Sequence, residues 1–186
     1  STLSEVNDIL QAAREEAVRG ANGTNPDTSL EAIAQKIGQL YDQLIAVGNT
    51  QFKGKYIFNG KATDTPPYGD TGINAEQHFA SDDKEIQFEV MPGVVIQVNV
   101  LGDKVFGKTS GTTTPPFNPA DPDNHAPDDA DPNAFEILLY LKDALERNDY
   151  NKIQNAIGLL DKRIDAVLTE WTDVGARMNR LELMEA

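Results

Sequence analysis

Two histidines and no cysteines narrow the chemistry open to this 186-residue chain. A Ser-His-Asp triad needs an activated serine. His78 sits in Glu76-Gln77-His78-Phe79 and His125 in an acidic stretch, and neither neighbours a Gly-x-Ser-x-Gly elbow. Without cysteine there is no thiolate nucleophile, thiolate metal site or disulfide. Asp121, Asp123, Asp128, Asp129 and Asp131 raise the question of calcium. An EF-hand register started at Asp121 puts Ala126 where glycine is required and Pro132 where the bidentate glutamate belongs, so the register fails. Gly20, Gly23, Gly54 and Gly60 form no phosphate-cradling motif. Carboxylates are abundant enough for glycosidase chemistry, but no spacing places a catalytic pair. Trp171 could serve as a ligand platform, yet its place in an apolar heptad stripe predicts a core residue. The residues therefore point to no catalytic site, no metal and no cofactor.

The elements carrying these residues are mainly helices. Ile153, Ile157, Leu160, Ile164, Val167, Trp171, Val174, Met178 and Leu181 alternate spacings of four and three, which predicts one long helix with an a/d seam. Asn148 and Asp149 can cap its start, while Leu183-Met184-Glu185-Ala186 offers no stop signal; a helix cut off mid-pattern is expected of a fragment. Residues 2–19 carry a thinner stripe, Leu3, Val6, Leu10, Ala13 and Ala17, behind a Thr2–Glu5 capping box. Gly20 to Asp27 breaks it. A second box, Thr28–Glu31, opens a helix with Leu30, Ile33, Ile37, Leu40, Leu44 and Val47 at the same spacing as the long seam. The short connection predicts an antiparallel pair, with helices one and two together covering the C-terminal seam. Asp131 and Pro132 read as cap and first residue of a further helix, 133–147, with Phe135, Leu138, Leu139, Ala144 and Leu145 on its apolar face.

Between these helices the period changes. Lys55-Tyr56-Ile57-Phe58, bounded by Gly54 and Gly60, reads as a short strand. Ile86, Phe88 and Val90, then Val94, Ile96, Val98 and Val100, alternate on either side of Met91-Pro92-Gly93. Pro-Gly favours a turn that splays hairpin strands, so a bulge or a longer loop is expected there. Residues 108–132 read as a solvated Pro/Asp linker. The predicted fold class is α+β: an elongated antiparallel helical bundle with coiled-coil packing, formed by 1–52 and 133–186, and a small β-rich insertion domain with its acidic linker at 53–132.

Composition excludes several partners. A net charge of −14 argues against nucleic acid and anionic membrane surfaces, both of which need clustered Lys and Arg. No apolar run approaches the roughly 20 residues that span a bilayer. No signal peptide opens the sequence.

Two separated stretches carry a family likeness. Ala21-Asn22-Gly23-Thr24-Asn25, the helix after it and Gly48-Asn49-Thr50-Gln51-Phe52-Lys53-Gly54 resemble the N-terminal helical region of bacterial flagellins. Val174-Gly175-Ala176-Arg177-Met178-Asn179-Arg180-Leu181-Glu182 resembles the matching C-terminal segment. Within that superfamily, Gly54-Lys55-Tyr56-Ile57-Phe58-Asn59-Gly60 with Thr63-Asp64-Thr65-Pro66-Pro67 is more similar to the hook-associated proteins of the hook–filament junction; flagellins usually have Asn at Lys53.

The resemblance implies a structural subunit of the bacterial flagellum, exported without a cleaved signal. It would self-assemble into a ring between a neighbouring hook-associated protein and flagellin, with the isolated chain monomeric in solution. Such relatives also have further terminal helical segments absent from this sequence. Asn49, Thr50, Gln51, Arg177 and Arg180 are the candidate subunit-contact residues. The competing reading is internal: the first three as a cap or bridge at the end of helix two, the arginines as partners of Glu182 and other acids of the same chain. An adhesin, with a ligand-binding β insertion on a helical stalk, is the alternative function, and a secreted hydrolase a weaker third.

Overall fold

The computed structural model describes residues 1–22, 26–69, 79–108 and 126–186, and His78, His125, Asp121 and Asp123 lie outside them. Four helices close a ring. Helix α1 (Thr2–Ala21) starts on Ser1, whose hydroxyl accepts the Ser4 N–H at 3.3 Å, one residue ahead of the expected Thr2–Glu5 box. Helix α2 (Asp27–Gly48) starts behind Pro26 with no side-chain cap, so Thr28 lies inside the helix and the second capping box does not form the boundary. Proline at the entry already supplies extended backbone, with φ −68° and ψ 156°, and needs no hydroxyl to turn the chain.

β1 (Gln51–Phe52) and β2 (Lys55–Tyr56) follow as an antiparallel hairpin. The Lys55–Phe58 strand is thus shorter than expected and is paired with residues just upstream. Lys53 (φ 50°) and Gly54 (φ 77°) both occupy the left-handed region, the two-residue turn whose twist matches a hairpin. β3 (Gln87–Met91) and β4 (Val94–Gln97) make a second antiparallel pair, with the expected irregularity falling between Glu89 and Met91.

A short helix α3 (Gly102–Phe106) was not legible in the sequence. It exists because its surroundings hold it: Val105 and Phe106 are fully buried, and a side chain at Gly102 would collide with the Tyr68 hydroxyl and the Phe58 carbonyl.

α4 (Ala134–Glu146) and α5 (Tyr150–Glu185) complete the ring. The α4 cap is Asn133, not Asp131. Its side-chain oxygen accepts from Phe135 and Glu136 N–H at 3.0 and 3.2 Å, and its amide donates to the Phe79 and Gly107 carbonyls, both at 3.1 Å. Asp131 is occupied instead by Arg163. α5 begins on Asp149, whose carboxylate accepts the Lys152 N–H at 3.1 Å.

The helices pack α1 on α2, α2 on α4, α4 on α5 and α5 on α1, which leaves α2 diagonal to α5. The long seam is therefore covered by α1 and α4, not by α1 and α2. α4 buries almost its whole circumference, because bundle helices cover two sides and the aromatic cluster covers its first turn. In that cluster Phe135 stacks on Phe79 at 5.3 Å and Phe106 at 5.1 Å, lies 4.6 Å from the Tyr68 ring and meets Tyr41 edge-on at 6.4 Å. Bundle and intervening segment share one core.

Candidate subunit-contact surface

The end of α2 is the first place to look for contacts. Asn49 pairs with the backbone of Tyr68 on both sides: its amide donates to the Tyr68 carbonyl at 2.6 Å and its oxygen accepts the Tyr68 N–H at 3.0 Å. Thr50 donates its hydroxyl to the Val47 carbonyl at 2.6 Å. Both polar groups are spent inside the molecule, the first tying α2 to the loop that carries Tyr68 into the core. Gln51 is exposed at the start of β1 and pairs with Tyr56. Asn49→Ala is expected to lose about 1–3 kcal/mol of stability, since two half-buried backbone groups lose their partner. Chemical denaturation measures this, and an unchanged midpoint would return Asn49 to the outer surface.

At the other end, Arg177 is also held internally. It donates to the Asn99 carbonyl and to Glu170, each at 3.1 Å, with both charged side chains largely covered. Burial pushes the Glu170 carboxyl above its usual range, and Arg177 opposes that shift. Arg180 is exposed. The two arginines line a cleft of about 1080 Å³ beside α3, α5 and the β3–β4 hairpin, with Lys104, Asp103 and Asp173 on its walls.

Arg163 closes this cleft. Its side chain is 3% exposed and donates to Asp131 at 3.1 Å and to the Pro132 carbonyl at 3.2 Å. Burial pulls the guanidinium below its ordinary value, and Asp131 restores part of it. Gly107, at φ 86°, has no room for a side chain against Arg163 and Pro132. Lys162 likewise holds Asp129 at 2.5 Å, so two acids of the supposed free linker are anchored to α5.

A second, apolar groove of about 500 Å³ was not foreseen. Leu3, Phe52, Tyr56, Val98, Trp171 and Met178 line it. Trp171, expected in the core, is 37% exposed and stands on the groove wall with Val174 and Met178, beside Thr2 and Leu3. Met178, on the same stripe, is 55% exposed. The candidates therefore do not form one polar patch; Phe52 and Met178, next to Gln51 and Arg177 in sequence, share the groove. Its only sequence signal was the aromatic pair Phe52 and Tyr56 flanking a tight turn. Among the described residues no cluster of three His, Asp or Glu could hold a metal ion.

Residues 1–63 match the family profile described as the bacterial flagellin N-terminal helical region. Flagellar hook-associated protein 3 of Escherichia coli (strain K12) is 28% identical over 198 residues, an alignment covering 100% of this chain and 58% of that relative. The chain is thus similar to a flagellar hook-associated protein along its whole length and to flagellins at its N-terminal end. Flagellin of Salmonella muenchen is 36% identical over 90 residues, covering 48% of the chain and 17% of the relative. The crystal structure of flagellar hook-associated protein-3 from Legionella pneumophila superposes with a TM-score of 0.78 at 16% identity, over 99% of this chain and 84% of that one. The α+β flagellin-like fold is thereby established. The chain spans 58% of the length of the hook-associated relative it matches.

Proposed function

We propose that this chain is a structural subunit of the bacterial flagellum at the hook–filament junction. The observation that carries the reading is the extent of the likeness: hook-associated protein 3 aligns with the whole chain, and the flagellin of Salmonella muenchen with less than half of it. Its partners are a neighbouring hook-associated protein, flagellin and further copies of itself in a ring; it is exported without a cleaved signal.

The mechanism is packing, not catalysis. The closed ring of helices carries load along α5, a helix of 36 residues and about 54 Å at 1.5 Å per residue. The described residues between α2 and α4 add Phe58, Tyr68, Phe79 and Phe106 to the core of the bundle. Arg163 and Arg177 clasp the same segment to α5 at two points, so bundle and insertion move together. Gln51 and Arg180, both exposed, are the contact residues of this reading.

The test is genetic. A full-length protein carrying this chain is expected to restore swimming to a bacterium lacking its junction protein, with filaments retained on hooks in electron micrographs. Export into the medium without filament retention would refute the junction role.

A further inference from the structure

Asparagine followed by glycine is the dipeptide most open to self-modification. With no side chain on glycine, its backbone nitrogen reaches the asparagine side-chain carbon and closes a ring. The sequence has two such steps, Asn22–Gly23 and Asn59–Gly60, and only the second lies wholly among the described residues.

The loop after β2 requires both residues. Asn59 is 6% exposed, and all its polar groups are bonded. Its amide nitrogen donates to the Ala62 and Thr65 carbonyls, both at 3.0 Å, and its side-chain oxygen accepts the Asp82 N–H at 2.8 Å. Its backbone carbonyl accepts the Ala62 N–H at 2.9 Å. Aspartate could not replace it, since a carboxylate has no hydrogen to give either carbonyl. Gly60 takes φ 53°, and a Cβ there would lie 2.4 Å from the Asp82 carbonyl oxygen. Asp82 also fastens the loop by accepting the Lys61 N–H at 2.8 Å. The fold thus demands the pair whose chemistry threatens it.

We propose that Asn59–Gly60 is a latent self-modification site, silent in the closed loop and active wherever residues 59–65 open. In the reaction the Gly60 nitrogen bonds to Asn59 Cγ, and the side-chain nitrogen leaves as ammonia, carrying off the displaced proton. Water then opens the cyclic imide at one carbonyl or the other, giving aspartate or isoaspartate. Two features of the closed loop oppose this. Attack makes Cγ tetrahedral, which tilts the side-chain nitrogen and oxygen out of the plane their three bonds define, and the leaving nitrogen must quit both carbonyls. Gly60 is also buried, which keeps hydroxide from its N–H. The rate is therefore that of the free chain scaled by the fraction of open loop.

The product is one-way. A carboxylate at position 59 turns oxygen toward the Ala62 and Thr65 carbonyls and loses both donated bonds, and isoaspartate adds a carbon to the backbone. Neither closes again on the former partners, so a chain that opens here stays marked. The inference is independent of the assembly role above.

Peptide mapping by mass spectrometry tests it on the whole chain, held in mildly alkaline buffer with and without denaturant. Conversion at Asn59 is expected to be at least about tenfold slower in the folded chain. Asp82→Ala, which removes the bond to Lys61, should speed the folded-state reaction at least about threefold while the helical circular dichroism signal is kept. Asn59→Asp, the product made directly, should lose hydrogen-exchange protection at the Ala62 and Asp82 N–H groups. Equal rates at Asn59 with and without denaturant overturn the proposal, and so does a folded Asp82→Ala variant reacting at the unmodified rate. Full protection in Asn59→Asp would refute the one-way product.

Discussion

Phe135→Ala lowers the unfolding free energy by about 3–5 kcal/mol, the range for removing a fully buried aromatic ring. The ring is completely inaccessible and is the common neighbour of Phe79, Phe106, Tyr68 and Tyr41. Its loss leaves a cavity whose walls come from separate elements. Phe79 and Gly107, the residue after Phe106, are held by backbone bonds to Asn133, and Tyr68 by its two bonds to Asn49, so the walls cannot collapse inward freely. Limited relaxation places the cost toward the upper end. At 2–4 °C per kcal/mol for a chain of this size, the melting temperature should fall by roughly 6–20 °C. Phe135→Leu should cost less than half as much, because most of the volume remains. A drop below about 1 kcal/mol for the alanine variant would show that the aromatic cluster is not the shared core of bundle and insertion.

Ile164→Asp should unfold the bundle at neutral pH. Ile164 is buried near the middle of α5, on the seam that α1 and α4 cover. An aspartate there forfeits about 1.5–3 kcal/mol of apolar burial and adds the cost of desolvating a carboxylate. Neighbouring Arg163 is committed to Asp131 and Pro132, and Arg14 to Asp161. The total exceeds about 4 kcal/mol, a large share of the 5–15 kcal/mol that holds a typical domain together. Circular dichroism should show loss of most helical signal at 25 °C. Unchanged helicity and melting would remove α5 from the centre of the fold.

The helices were legible because periodicity is a local property. Ile153 to Leu181 and Leu30 to Val47 announced their seams, and both lie on helices in the structure. The boundaries were less legible, since several residues competed for each cap. Ser1 and Asn133 won over Thr2 and Asp131, the latter because Arg163, distant in sequence, takes the Asp131 carboxylate. The five-residue helix α3 left no trace in the pattern. Helices so short are marginal alone, and this one is sustained by Tyr68, Phe58 and Ser81 around Gly102 and by its own Phe106 packed edge-on against Phe58 and Tyr68.

The candidate site divides in the same way. Residue types alone argued against thiol chemistry and a binding partner made of nucleic acid, and two short motifs at opposite ends of the chain carried the likeness to flagellins. Whether Asn49 and Arg177 face outward or inward could not be read from them, because that depends on Tyr68 and Asn99, which only folding brings near. The sequence by itself determined the helices, the α+β class and the family likeness, all written in local spacing and motif. Only the tertiary structure decided which helices cover the seam, because that depends on how α1 and α4 lie along α5.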